Sequence, residues 1–178
     1  MNAYSIKTFR SRLNDDPENH LARSVFHENY EWIEGFLKIY KKNEISKFCS
    51  EFGDYYWHLD EIRALARELS FFPPVGSSTL NFEPTPTIKS ATYFLKYSSG
   101  LDIPFPQEDH ELILSSRWRG NSFYAIFSII KQIRDNLFHG AKMDLEQDQY
   151  DRNRILVGIG SKFTSIILDK LDEAVEQA

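Results

Sequence analysis

The residues best suited to chemistry lie in KQIRDNLFHGAK, residues 131–142, which follows the apolar stretch FYAIFSII. On a helix, Asp135 and His139 stand one turn apart and share a face. Arg134 lies about 100° round from Asp135, and its long side chain reaches the same end. A guanidinium grips phosphate oxygens bidentately and stays charged at any ordinary pH. An imidazole gives or takes a proton near neutrality, and a neighbouring carboxylate orients it and fixes its tautomer. Together these groups suit a phosphodiester. A ribose 2′-hydroxyl attacks its own phosphorus, a base takes its proton, and cationic groups stabilise the charge that develops. DNA lacks that hydroxyl, so the chemistry selects RNA. Each residue also has an ordinary structural use. Arg and His near a helix C-terminus complement its dipole, and an Asp–His pair at i, i+4 is a common surface contact.

The elements that must position these groups are helices. Phe123, Ile126, Phe127, Ile130, Ile133 and Leu137 form an i, i+3, i+4 stripe that predicts a helix from Arg119 to about Phe138, stopped by Gly140. A second long helix is expected from Asp148 to about Val175, with Gly158 and Gly160 inside it at points of close helix approach. Upstream, periodicity predicts a helix over 21–40, then Ile45–Phe52, a break and cap at Gly53–Asp54, and a helix over YYWHLDEIRALAREL. The prolines and glycine of SFFPPVGSSTLNFEPTPT end that run. A short helix over TIKSATYFLKYSSG, closed by Gly100, and another over EDHELILSS follow. No sustained period-two alternation appears. The expectation is one all-α domain over 1–178: an up-and-down bundle of four main helices with extra short helices, a polar N-terminal extension over 1–20 and a Pro-rich insertion over 71–118.

The run IRDNLFHGAK resembles the signature of the HEPN superfamily, the higher eukaryote and prokaryote nucleotide-binding domains. That signature is an Arg, usually followed by Asn, Asp or His, with four to six residues between the Arg and a His. Arg134, Asp135 and His139 match it with four residues between, and the Leu-Phe-His-Gly-x-Lys continuation is like bacterial members. Asp135 stands where many of those have Asn. The detailed resemblance covers about Ser122 to Leu171. It implies a metal-independent endoribonuclease with no cofactor, leaving 2′,3′-cyclic phosphate and 5′-hydroxyl ends. It also implies a homodimer whose two motifs face one composite cleft, a role in toxin–antitoxin, abortive-infection or antiviral defence, and an antitoxin as a further partner. Carried over residue by residue, Arg134 and His139 form the catalytic pair and Asp135 orients; Asn136, which faces elsewhere on an ideal helix, is expected as a supporting substrate-binding residue.

Charge and composition fit this picture. The chain of 178 residues is 42% hydrophobic with net charge −5, enough for one cored domain and without a global basic field. Residues 117–154 carry seven Lys/Arg against five Asp/Glu, a local excess of +2 on an acidic body. Lys142, Arg152 and Arg154 are the expected further phosphate contacts. Cys49 is the single cysteine, expected as a buried small residue in a reducing, cytoplasmic setting. The N-terminus lacks the apolar region of a signal peptide, and no run approaches a membrane span. His20, His27, His58 and His110 are scattered without metal-ligand spacing, and VGIGSKF lacks the third glycine of a dinucleotide loop. Trp118, between Arg117 and Arg119, is expected to pack under a helix start rather than stack on a base. A catalytically silent HEPN-like module that binds a protein or nucleotide is the other reading the sequence admits.

Overall fold

The computed structural model describes residues 3–70, 86–97, 100–101, 118, 121–138 and 147–178. Among these it is all-helical, with no strand: α1 (Ala3–Asn14), α2 (Pro17–Tyr40), α3 (Ile45–Trp57), α4 (Asp60–Ser70), α5 (Pro86–Tyr97), α6 (Ser122–Phe138), α7 (Gln147–Asp169) and α8 (Leu171–Gln177). No helix among the described residues is long and apolar enough to cross a membrane.

The N-terminal twenty residues hold more structure than their polarity suggests. Helix α1 packs on α2, with the Arg23 guanidinium 5.1 Å from the Phe9 ring centroid. Asp15 and Asp16 then break the chain. The Asp16 carboxylate accepts from the Asn19 backbone N–H at 3.2 Å, and Pro17 opens α2 where no N–H is needed. Helix α2 buries Asn19, Arg23, Phe26, Tyr30, Ile33 and Leu37 along one stripe. It ends where Lys42 and Asn43 enter the left-handed region at φ 54° and 63°.

The helices pack into a bundle: α2 lies on α7, α3 and α5 flank α6, and α4 bridges α5 and α7. Its core is largely aromatic. Phe48 meets the rings of Phe52 at 5.1 Å and Phe127 at 5.8 Å, and Tyr56 stacks on Phe123 at 5.0 Å. The buried Tyr56 hydroxyl donates to the Ile167 carbonyl at 2.8 Å, which satisfies its polar end.

Four sequence expectations change here. Gly53 does not break its helix: α3 runs through it to Trp57. A Cβ at Gly53 would sit 2.9 Å from the Asn121 amide, which donates to the Cys49 carbonyl at 2.9 Å while its oxygen caps α6 at the Tyr124 N–H, also 2.9 Å. The glycine therefore admits the start of α6. Second, part of the 71–118 range is core: α5 lies between α4 and α6 with Ala91, Phe94 and Leu95 buried, and the Trp118 indole donates to Ser90 at 3.0 Å. Third, the last helix is two, because α7 ends at Asp169 and α8 restarts after Lys170. Fourth, only one of the two α7 glycines marks close approach. A Cβ at Gly160 would stand 2.6 Å from the Phe26 ring, whereas one at Gly158 meets nothing within 4 Å. Cys49 is buried, which raises its thiol well above the ordinary range, and Trp118 packs inside, both as expected.

Candidate functional site

Helix α6 reaches Phe138, so the apolar stripe delivers Arg134, Asp135 and Asn136 to its last turn. His139, Gly140 and Lys142 lie outside the described residues. The Arg134 side chain is only 10% exposed. Its guanidinium lies 4.9 Å from the Tyr30 ring centroid, Nη2 is 3.2 Å from Glu34 Oε1, and Nη1 donates to Asp135 Oδ1 at 3.0 Å. Stacking on an aromatic face and a planar fork toward two carboxylates are arrangements that lysine does not reproduce. Since Tyr30 and Glu34 both sit on α2, this arginine fixes the end of α6 against α2.

Asp135 shares its carboxylate between two cations. Oδ1 takes Arg134, and Oδ2 takes Lys131 Nζ at 2.5 Å, one turn back. Burial works to raise this carboxyl, but the hydrogen bonds and charges of Lys131 and Arg134 outweigh it and hold it below the usual carboxylate range. Burial, with the Asp135 and Glu34 charges, pushes the Tyr30 phenol up, so its ring stays neutral beneath the cation. Asn136 turns away from this group, as its place on the helix implied, and accepts from Gln132 Nε2 at 2.8 Å. Asp135 therefore orients Arg134. Its expected pairing with His139 involves a residue outside the described set.

The two other arginines chosen from the sequence differ from each other. Arg154 clips the start of α7 to the start of α2: Nε donates to Asp16 Oδ2 at 2.9 Å, and Nη2 reaches Glu18 Oε2 at 3.2 Å. Tyr150 donates to the same Asp16 oxygen at 2.9 Å and accepts from the Asn19 amide at 3.0 Å. Hydrogen bonding to Asp16 raises Arg154 further, and that same bond lowers Asp16. This makes Arg154 first a structural clip. Arg152 is half-buried, and its Nε and Nη2 are shielded from solvent with no hydrogen-bond partner among the described residues. Burial lowers its pKa from the ordinary arginine value. Such a guanidinium gains most from an arriving anion.

Sequence reasoning missed Glu34, Tyr30 and Lys131. Lys131 was legible as an i, i+4 partner of Asp135. Glu34 and Tyr30 come from a distant helix, and no local spacing announces them. Among the described residues, no group of three or more His, Cys, Asp or Glu side chains is placed to hold a metal ion. Compared with protein-family models, curated proteins and solved structures, the chain has no significant match in any of the three.

Proposed function

We propose that this chain is a HEPN-type, metal-independent endoribonuclease built on an up-and-down helical bundle. In this reading Arg134 and His139 carry the reaction, and Asp135 positions the arginine. The observation that carries the proposal is the placement of Arg134. It is held over Tyr30 by Asp135 and Glu34 in the last turn of α6, and residue 139 follows that helix directly. The ribose 2′-oxygen attacks phosphorus as His139 of one copy takes its proton. The P–O5′ bond breaks, the leaving 5′-oxygen gains a proton from the second copy's imidazolium or from water, and a 2′,3′-cyclic phosphate remains. Arg134 steadies the two non-bridging oxygens as charge builds on them. Two copies that set their motifs across one cleft supply both proton-transfer roles. Defence against foreign nucleic acid, with an antitoxin covering the cleft in the cytoplasm, is the biological setting this chemistry fits.

One observation favours a second reading, a silent module that binds a partner protein or nucleotide. Each terminal nitrogen of Arg134 already faces a carboxylate, so an arriving phosphate competes with both for the guanidinium. Glu34, whose side chain is 37% exposed, is the one freer to leave. The test is incubation of the purified protein with single-stranded and structured RNA in EDTA, beside His139→Ala. The nuclease reading expects cyclic-phosphate ends from the parent alone. RNA that stays intact with the parent, or is cut equally by both, supports the silent module instead.

A further inference from the structure

Helix α2 carries a second apolar stripe, opposite its core face. Leu21, Val25, Glu28, Trp32, Gly35 and Ile39 are spaced 4-3-4-3-4, the a/d rhythm of a coiled-coil seam. Leu21, Trp32 and Ile39 are 65%, 67% and 75% exposed. Exposed large apolar residues in such register are uncommon on a finished surface. Trp32, Gly35, Phe36 and Ile39 stand at i, i+3, i+4 and i+7, the four corners of a knob-accepting hole. They line an open groove of about 570 Å³, walled on one side by Leu168 and Leu171. A Cβ at Gly35 would meet nothing within 4 Å, so the floor of this hole is a missing side chain.

We propose that this groove is filled by Trp32 of a second copy of the chain, with the two α2 helices antiparallel about a two-fold axis. In that register each Trp32 knob sits over the partner's Gly35, and the pairing occurs twice by symmetry. The charges flanking the seam agree. Glu31 and Lys38 occupy equivalent g positions, and the same antiparallel register brings each Glu31 beside the other copy's Lys38. A parallel pair would instead set each Glu31 beside the partner's e position five residues on, Phe36, and form no such ion pair. Glu28, the one charged seam position, falls in the outer layer facing Ile39. The overlap covers about 14 residues, or roughly 21 Å, and leaves Leu21 and Val25 outside it, so the contact is small and forms in a concentration-dependent equilibrium. Glu34, the partner of Arg134, lies about 140° round α2 from the seam. This interface is therefore separate from a cleft shared by two Arg134 motifs, and it stands whether or not the chain cleaves RNA.

Sedimentation equilibrium of the full chain, with three variants, tests it. The parent should double its mass with rising concentration, from monomer to dimer or, where the Arg134 cleft already pairs two copies, from dimer to tetramer. Gly35→Lys adds a side chain into open space and favours the helix, so it leaves the fold intact, but it fills the hole and should abolish this association. Glu31→Lys should weaken it about tenfold through two lost attractions replaced by repulsions, and Glu31→Lys with Lys38→Glu should restore it. A parent whose mass does not rise with concentration up to about 1 mM, a concentration-dependent doubling that Gly35→Lys leaves unchanged, or a double variant no better than the single one would overturn the proposal.

Discussion

Arg134 and Arg154 do the same thing in two very different places. Each holds two carboxylates, and each ties another helix to α2: Arg134 through Glu34 and its own neighbour Asp135, Arg154 through Asp16 and Glu18. The Arg134 side chain is 10% exposed and lies over an aromatic ring, while Arg154 is 39% exposed on an open surface. A surface clip of this kind is weak, screened by salt and readily hydrated. A shielded guanidinium that keeps partial access is a stronger and more particular arrangement. It costs desolvation that a plain apolar side chain would avoid. The sequence offered Arg134 as catalytic and Arg154 as a phosphate contact; in the structure both fasten a helix to α2, and Arg134 is the more shielded of the two.

Substitution at Arg134 should perturb the molecule more than substitution at either of the other two arginines. Arg134→Ala strands Glu34 and Asp135 beside Tyr30 and should lower unfolding stability by about 2 kcal/mol in urea titrations, with Arg134→Lys recovering only part of it. Next, Arg152→Met removes a half-buried guanidinium with two unsatisfied nitrogens and should raise stability by about 1 kcal/mol. In the same variant, RNA affinity measured by fluorescence anisotropy should fall. A loss of stability would instead mean that Arg152 is structural. Arg154→Ala should lower the melting temperature only slightly, and that difference should vanish in about 1 M salt, where the Debye length is near 3 Å.

The smallest effect is on acid sensitivity. Asp16 and Asp135 are both held below the ordinary carboxyl value. A depressed carboxyl contributes stability that is full above its unfolded value, near 3.9, and is lost as pH falls through its folded value. Stability should therefore drop as pH falls below about 4. Asp16→Asn should flatten part of that drop without changing the profile above pH 5. An unchanged slope would contradict the ion-pair account of the clip.

Helical class and the core face of α6 were legible because the stripe from Phe123 to Leu137 repeats with a single period and every member packs one way. The arrival of Arg134 at the last turn followed from the same register. What could not be read was its company: Tyr30 and Glu34 reach it only after α2 folds against α6, and nothing local encodes that meeting. Gly53 misled for a related reason. Glycine signals either a stop or a close neighbour, and the neighbour, Asn121, is far along the chain. Helix α1 escaped notice because its polar faces dilute the few apolar positions that touch α2. Helix α5 was seen as a helix but judged peripheral, since proline-rich sequence on its N-terminal side hid its place beside α6.

In the proposed reading the Arg134 end of α6 performs phosphodiester chemistry while the Arg154 clip only holds the fold. Cleavage of RNA in EDTA by the parent, Arg134→Lys, His139→Ala and Arg154→Ala, each verified as folded, tests it directly. The account predicts loss of at least about a hundredfold in rate for the first two variants, near-parental cleavage for Arg154→Ala, and cyclic-phosphate ends on the product. Equal cleavage by parent and His139→Ala, or a collapse in Arg154→Ala with Arg134→Lys unaffected, would contradict it.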